Sequence, residues 1–123
     1  MHNKPILTIG IISEILCVHQ RTLRIYDKEG ILTSKRSIGN RRLYSYNDLE
    51  KAKLILYLTR KLALNLSGVK IILGILKEFK IKPSEYMDLI VRVSFKNKIN
   101  ENENIIKTSK RGRKSKQNNI LEQ

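Results

Sequence analysis

Apolar and polar positions recur with a helical period almost from the start of the chain. Ile9, Ile12, Ile15 and Leu16 follow the i, i+3, i+6, i+7 spacing of one helix face, which predicts a helix over Ile9 to Leu16. Thr8 stands just ahead of it as a candidate N-cap. Leu23 and Tyr26 mark the inward side of a second helix, from about His19 to Lys28, and Gly30 supplies its stop. Only Cys17 and Val18 separate the two patterns, a link short enough to cross the helices steeply, as a helix-turn-helix requires. The outward side of the second helix carries Gln20, Arg21, Thr22, Arg24 and Lys28, with one carboxylate, Asp27, near its end. A row of cations and amides of this kind suits a surface that docks into the groove of a polyanion.

The period then shortens. Ile31–Ser34 and Arg42–Tyr44 read as two short extended segments, joined by a basic loop over Lys35–Arg41 with a Gly-Asn turn. A two-stranded ribbon of this length is not stable alone, so it must pack on the helices. Lys35, Arg36, Arg41 and Arg42 make it a wing suited to clamping a sugar-phosphate backbone. Ser45 and Asp48 form a capping box with Asp in place of the usual Glu or Gln. The helix that follows runs to about Lys61, with Leu49, Ala52, Ile55, Leu58 and Leu62 as its buried stripe and Leu54, Leu56 and Tyr57 widening it.

After a loop at Leu62–Leu66, Ser67 is the expected cap of a helix from Gly68 to about Phe79, with Val69, Ile72, Leu73 and Leu76 facing inward. Ile71 and Ile75 fall partly outside that stripe, where they suit a contact with another chain. Pro83 breaks the pattern, and Ser84 caps a last short helix whose Tyr86, Leu89, Ile90 and Val93 share one side. From about Lys96 the composition turns to Asn, Lys, Glu and Ser, and residues 97–123 are expected to be disordered. The expected fold is therefore mainly α: a helix-turn-helix with a small two-stranded wing over 6–80, a short helix over 84–96, and a basic tail.

Charge narrows the partners. The 123 residues carry 25 Lys and Arg against 11 Asp and Glu, a net charge of +14, which points to nucleic acid or an anionic membrane. No apolar run approaches the roughly 18–20 residues that span a bilayer, and the opening stretch MHNKPILTIG has no apolar signal-like core. One cysteine forms no internal disulfide, and with His2 and His19 alone it leaves too few ligands for a structural zinc. No paired carboxylates, nucleophile-base pair or glycine-rich phosphate loop suggests an enzyme, and no cofactor is expected. Cys17 reads as a small buried residue in the turn, and His19 as a helix cap or a phosphate contact. In the tail, Lys110-Arg111-Gly112-Arg113-Lys114 reads either as a nonspecific basic segment or as the core of a minor-groove hook without its flanking prolines.

Several of these residues together carry a resemblance. Thr22-Leu23-Arg24, Tyr26-Asp27-Lys28-Glu29-Gly30-Ile31-Leu32, Gly39, Arg41-Arg42-Leu43-Tyr44-Ser45 and Asp48-Leu49 resemble the DNA-binding domain of the MerR family of bacterial transcription regulators. That resemblance implies a winged helix-turn-helix that binds double-stranded DNA as a homodimer, joined by antiparallel pairing of the last helices. It implies that Arg21, Thr22, Arg24 and Tyr26 meet the DNA from the second helix, with His19 and Gln20 beside them, and that Arg42 and Tyr44 hold phosphates from the wing. Within the family, Val18-His19 and Leu64-Asn65-Leu66-Ser67-Gly68-Val69 resemble the heat-shock repressor branch, HspR. The branch implies a cytoplasmic, nucleoid-associated repressor of chaperone operons with the DnaK chaperone as corepressor. Gln20, Ile25 and Ala63 depart from the usual Pro, Tyr and Gly at their positions. A MerR-type activator of another regulon and a small basic RNA-binding protein are the alternatives.

Overall fold

The computed structural model describes residues 2–99. Its elements run β1 (Leu7–Thr8), α1 (Ile9–Leu16), α2 (Gln20–Lys28), β2 (Lys35–Arg36), β3 (Arg42–Tyr44), α3 (Tyr46–Leu56), α4 (Leu66–Glu78) and α5 (Tyr86–Lys96). The helix-turn-helix lies where the sequence pattern puts it. Thr8 caps α1 by accepting a hydrogen bond from the Ile11 amide at 3.2 Å. Cys17 ends the helix in the left-handed conformation, φ 56°, and His19 opens α2 from an extended backbone. Two left-handed or extended residues around Val18 are what turn the chain sharply enough to cross the helices.

Two expectations about the wing are corrected. The sheet has three antiparallel strands in the order β1-β3-β2, not two, with Leu7 opposite Tyr44 and Lys35 opposite Leu43. The strand before the loop is Lys35–Arg36, whereas Ile31 and Leu32 do another job: their amides both donate to the Tyr26 carbonyl, at 3.0 and 3.3 Å. They satisfy the open end of α2, with Gly30 supplying the φ of +76° that reverses the chain there. Both side chains are buried, so this segment ties the end of α2 into the core.

Helix α3 begins at the expected capping box. The Asp48 amide donates to Ser45 Oγ at 3.1 Å and the Ser45 amide to Asp48 Oδ2 at 2.9 Å, so the shorter Asp closes the box as Glu does elsewhere. The stripe of α3 is the centre of the core, with Ala52, Leu54, Ile55 and Leu58 fully buried beside Ile12, Leu23, Leu32 and Val69. Each of the leucine, isoleucine and valine side chains among them contributes about 1.5–3 kcal/mol by leaving water. The last turn, Tyr57–Lys61, loosens to π geometry, with the Leu62 amide donating five residues back to the Tyr57 carbonyl at 3.1 Å.

The cap of α4 is Asn65, two residues earlier than the expected Ser67. Its Oδ1 accepts from the Gly68 amide at 2.9 Å, and Ser67 already lies inside the helix. Ser84 does not cap α5 either; it sits in a 3₁₀ turn, Pro83–Glu85, that leads directly into the helix without a side-chain cap. Residues 97–99, expected to be disordered, close α5: Lys98 is left-handed and the Ile99 amide donates to the Ser94 carbonyl at 2.9 Å. The rest of the tail, with its candidate minor-groove hook, lies outside the described residues.

Candidate nucleic-acid interface

The amphipathic pattern of α2 decides what it presents. Leu23 and Tyr26 are buried, and the intervening positions turn Arg21, Arg24 and Lys28 to solvent, with Gln20 and Thr22 half-buried. One turn apart on the helix, Arg24 Nη2 donates to Gln20 Oε1 at 3.1 Å. That bond holds the guanidinium against the helix and leaves its remaining donors facing outward, an arrangement suited to the paired acceptors of a guanine edge. The exposed His19 marks the start of the helix and makes no side-chain cap bond, so of its two expected roles the capping one is not used.

The wing is tied to this helix by one carboxylate. Asp27 Oδ2 accepts from Arg42 Nε and from Ser34 Oγ, both at 2.9 Å. Asp27 is 15 residues from Arg42 in the chain, so this bond ties α2 directly to the strand that carries the wing. Partial burial pushes the Asp27 pKa upward, but hydrogen bonds from Arg42 and Ser34 and the nearby Arg42 and Arg36 charges outweigh it, leaving the carboxyl below its ordinary value. The group stays ionised and the clamp stays closed at neutral pH.

The wing tip has internal bracing. Ser37 Oγ accepts from the Arg41 amide at 3.2 Å, the Ser37 amide donates to the Arg41 carbonyl at 2.9 Å, and Arg36 Nη1 donates to the Asn40 carbonyl at 3.1 Å. This bracing lifts Ile38 wholly into solvent, flanked by Lys35, Arg36 and Arg41. Between the wing and the start of α1 lies an open cleft lined by Thr8, Ile9 and Gly10 on one side and Arg24, Arg36, Asn40, Arg41 and Arg42 on the other. Four arginines line it together with the first residues of α1, and an arginine-rich cleft of this kind suits a phosphate.

Of the expected contact residues, Arg24, Arg36, Arg41 and Arg42 come together along the cleft, while His19, Arg21 and Lys35 are exposed and Gln20 and Thr22 half-buried outside its lining. The two tyrosines are in neither group. Tyr44 is 0 % exposed and Tyr26 6 %, so both rings belong to the core. The Tyr44 phenol is buried with no hydrogen-bond partner among the described residues, and burial, followed by the Asp27 charge, raises its pKa. Arg42 and Tyr44 share one face of β3, but Tyr44 pairs with the buried Leu7 of β1 at the inner end of the strand, whereas Arg42 lies nearer the wing and reaches Asp27. Cys17 is likewise corrected. It is exposed, because the left-handed turn directs its side chain outward, where Sγ lies 3.8 Å from the Glu14 carbonyl.

Sequence reasoning missed Thr8 and Gly10 as cleft residues and Asp27 as the clamp. The wing cations Arg36, Arg41 and Arg42, with Arg24 of α2, carried a signal for the cleft, but the Asp27–Arg42 bond joins residues that no local period relates.

Comparison with known proteins agrees with this geometry. Residues 7–74 match the model of the MerR HTH family regulatory proteins. The chain is 35% identical over 69 residues to the HTH-type transcriptional regulator GlnR of Bacillus anthracis, covering 56% of this chain and 53% of that protein. It is 32% identical over 66 residues to the putative heat shock protein HspR of Streptomyces coelicolor, covering 54% of this chain and 44% of that protein. The chain thus spans about half the length of the curated relatives it matches. With a matched segment that begins at the cleft strand β1, contains the recognition helix and wing, and ends within α4, the chain belongs to the MerR family of helix-turn-helix transcriptional regulators.

Proposed function

We propose that this protein is a cytoplasmic, HspR-like repressor of chaperone genes that acts as a homodimer on an inverted repeat. The observation that carries the DNA-reading part is the clamp between α2 and the wing: Asp27 bonds Arg42, so the base-reading helix and the phosphate-holding wing move as one unit. Arg24 and Arg21 reach base edges in the major groove, while Arg36, Arg41 and Arg42 hold the backbone in the cleft beside Thr8 and Gly10.

Dimerisation is supported by the apolar residues that α5 leaves exposed. Val93 and Phe95 face solvent, Leu89 and Ile90 are half-buried, and Ile99 continues the surface past the end of the helix. Pairing α5 with its copy along Leu89, Ile90 and Val93, which lie three and four residues apart on one side, covers that stripe and sets two α2 helices on the half-sites of one duplex. The resemblance of the α4 entry to the HspR branch and the 32% identity to a putative heat shock protein support the choice of regulon.

The test is to sequence the DNA that co-precipitates with the protein from cells, before and after a heat shift, and to footprint the enriched sites. Protection of an inverted repeat upstream of chaperone genes, strengthened by added DnaK, is expected. Enrichment at other promoters with raised transcription would favour a MerR-type activator of another regulon. Preference for structured RNA over duplex in gel shifts would favour the RNA-binding alternative.

A further inference from the structure

A second basic concavity lies away from the arginine cleft. It is lined by Lys51 from α3, Lys70 and Lys77 from α4, Gly30 and Ile31 from the turn after α2, and Tyr86 from the first turn of α5, with Leu73 and Gly74 beside them. Three lysines line one hollow, and the Lys77 charge acts unfavourably on Lys51 across it. Lys70 pairs with Glu29 at 3.8 Å at a well-exposed rim. Lys51 and Lys77 have no carboxylate within ion-pair distance among the described residues. Burial, together with the Lys77 charge, pulls the Lys51 pKa below its ordinary value, and Asp48 offsets only part of this. The glycines leave the hollow open: no atom lies within 4 Å of where a Cβ on Gly30 or Gly74 would stand.

From the convergence of Lys51, Lys70 and Lys77 on an open hollow, we infer that this pocket binds a phosphate-bearing small molecule. A di-anionic phosphate relieves the repulsion between Lys51 and Lys77 and places acceptor oxygens beside two ammoniums that have no carboxylate partner among the described residues, with Lys70 at the rim. Lys serves such a site as a point charge and needs no fixed planar geometry. The hollow also joins three elements of different duty: the end of the recognition helix at Gly30, the core helices α3 and α4, and the start of α5 at Tyr86. A ligand seated there touches the DNA-reading and α5 ends of the molecule at once.

The glycines provide the reporters, because their amide nitrogens resonate apart from other residues. Gly30 and Gly74 line this pocket, and Gly10 lines the arginine cleft. The full-length, 15N-labelled protein is titrated with inorganic pyrophosphate at fixed ionic strength, with sodium sulfate and a short DNA duplex as separate arms. Gly30 and Gly74 are expected to shift and saturate at pyrophosphate concentrations that leave Gly10 near its starting position. K77Q and K51Q are each expected to raise the half-saturation at Gly30 and Gly74 at least 5-fold while duplex binding, read at Gly10, is kept. The inference is overturned if pyrophosphate moves Gly10 but not Gly30 and Gly74, if sulfate matches pyrophosphate, or if both variants leave the half-saturation unchanged. It is also overturned if the duplex saturates Gly30 and Gly74 while pyrophosphate does not, since the pocket would then extend the DNA contact.

Discussion

The α2-wing surface and the α4–α5 surface expose different chemistry, and the contrast indicates what each meets. On the first, exposed positions are Arg21, Arg24, Arg36 and Arg41, and several of their donors are held in place by bonds such as Arg24 to Gln20 and Arg36 to the Asn40 carbonyl. On the second, exposed positions include Ile71, Ile75 and Phe79 along α4 and Val93 and Phe95 on α5. The α4 residues follow a spacing of four and form a single stripe. Clustered cations gain from meeting a polyanion, which releases its counterions, whereas large exposed apolar groups gain by meeting another apolar surface. The contrast is one of degree, since the wing also exposes Ile38 and α4 also carries Lys70 and Lys77, but it matches the first surface to a polyanion and the stripe on the second to an apolar partner.

The largest effect is expected where the apolar surface is made charged. Replacing Val93, exposed on the Leu89 and Ile90 side of α5, by Asp places a charge in the stripe through which the proposed dimer pairs. If it is an interface anchor, the loss is about 2–4 kcal/mol, roughly 30- to 1000-fold in dimer affinity. Sedimentation should show a monomer, and cooperative binding to an inverted repeat should vanish while the circular dichroism stays helical. A dimer that survives V93D would remove α5 from the interface.

A smaller effect is expected inside the clamp. Asp27→Asn keeps the shape but loses the charge that holds Arg42, and stability should fall by about 1–2 kcal/mol, since hydrogen bonds to charged groups contribute about 1.5–3 kcal/mol and this one is partly exposed. The pH dependence follows from the lowered carboxyl pKa. Because the folded-state value lies below the unfolded value near about 3.9, the stabilisation is fully present above that range. It is lost as the pH falls through the folded-state value. Urea melts of wild type and D27N should therefore differ at pH 7 and converge in strong acid, and a gap that persists or widens there would sink the clamp. The smallest effect is expected at Cys17. Its thiol is exposed and outside the cleft, so Cys17→Ser should change stability by less than about 0.5 kcal/mol and leave duplex affinity unchanged under mild peroxide. A loss of binding under peroxide that C17S escapes would make the turn a redox sensor.

The sequence carried much of this contrast, but unevenly. Helices α1 and α2 and the Ser45–Asp48 box were legible because their signals are local: a period of three to four, a cap, a reciprocal pair three residues apart. Strand β1 was not, since two residues cannot show a period, and its pairing to β3 spans more than thirty residues. Ile31 and Leu32 look like a strand by composition and act as the closure of α2, because their amides reach the Tyr26 carbonyl before they reach a neighbour strand. Asn65 and Ser67 both suit a cap, and backbone geometry at Asn65 chose between them. At the site, the cations of α2 were readable from the helical period, while the burial of Tyr44 and the Asp27–Arg42 bond depend on how the wing folds back.

The central claim is that α2 reads bases while the wing holds phosphates, and a pair of affinities tests it most directly. Duplex binding of wild type, Arg24→Ala and Arg41→Ala is measured by fluorescence anisotropy on a footprinted site and on a scrambled duplex at the same salt. Arg24→Ala should lose about 1–3 kcal/mol on the footprinted site and much less on the scrambled one, so that their ratio collapses. Arg41→Ala should weaken both by one factor and shallow the salt dependence by about one contact. Equal losses on both duplexes for Arg24→Ala, with the ratio intact, would contradict the account.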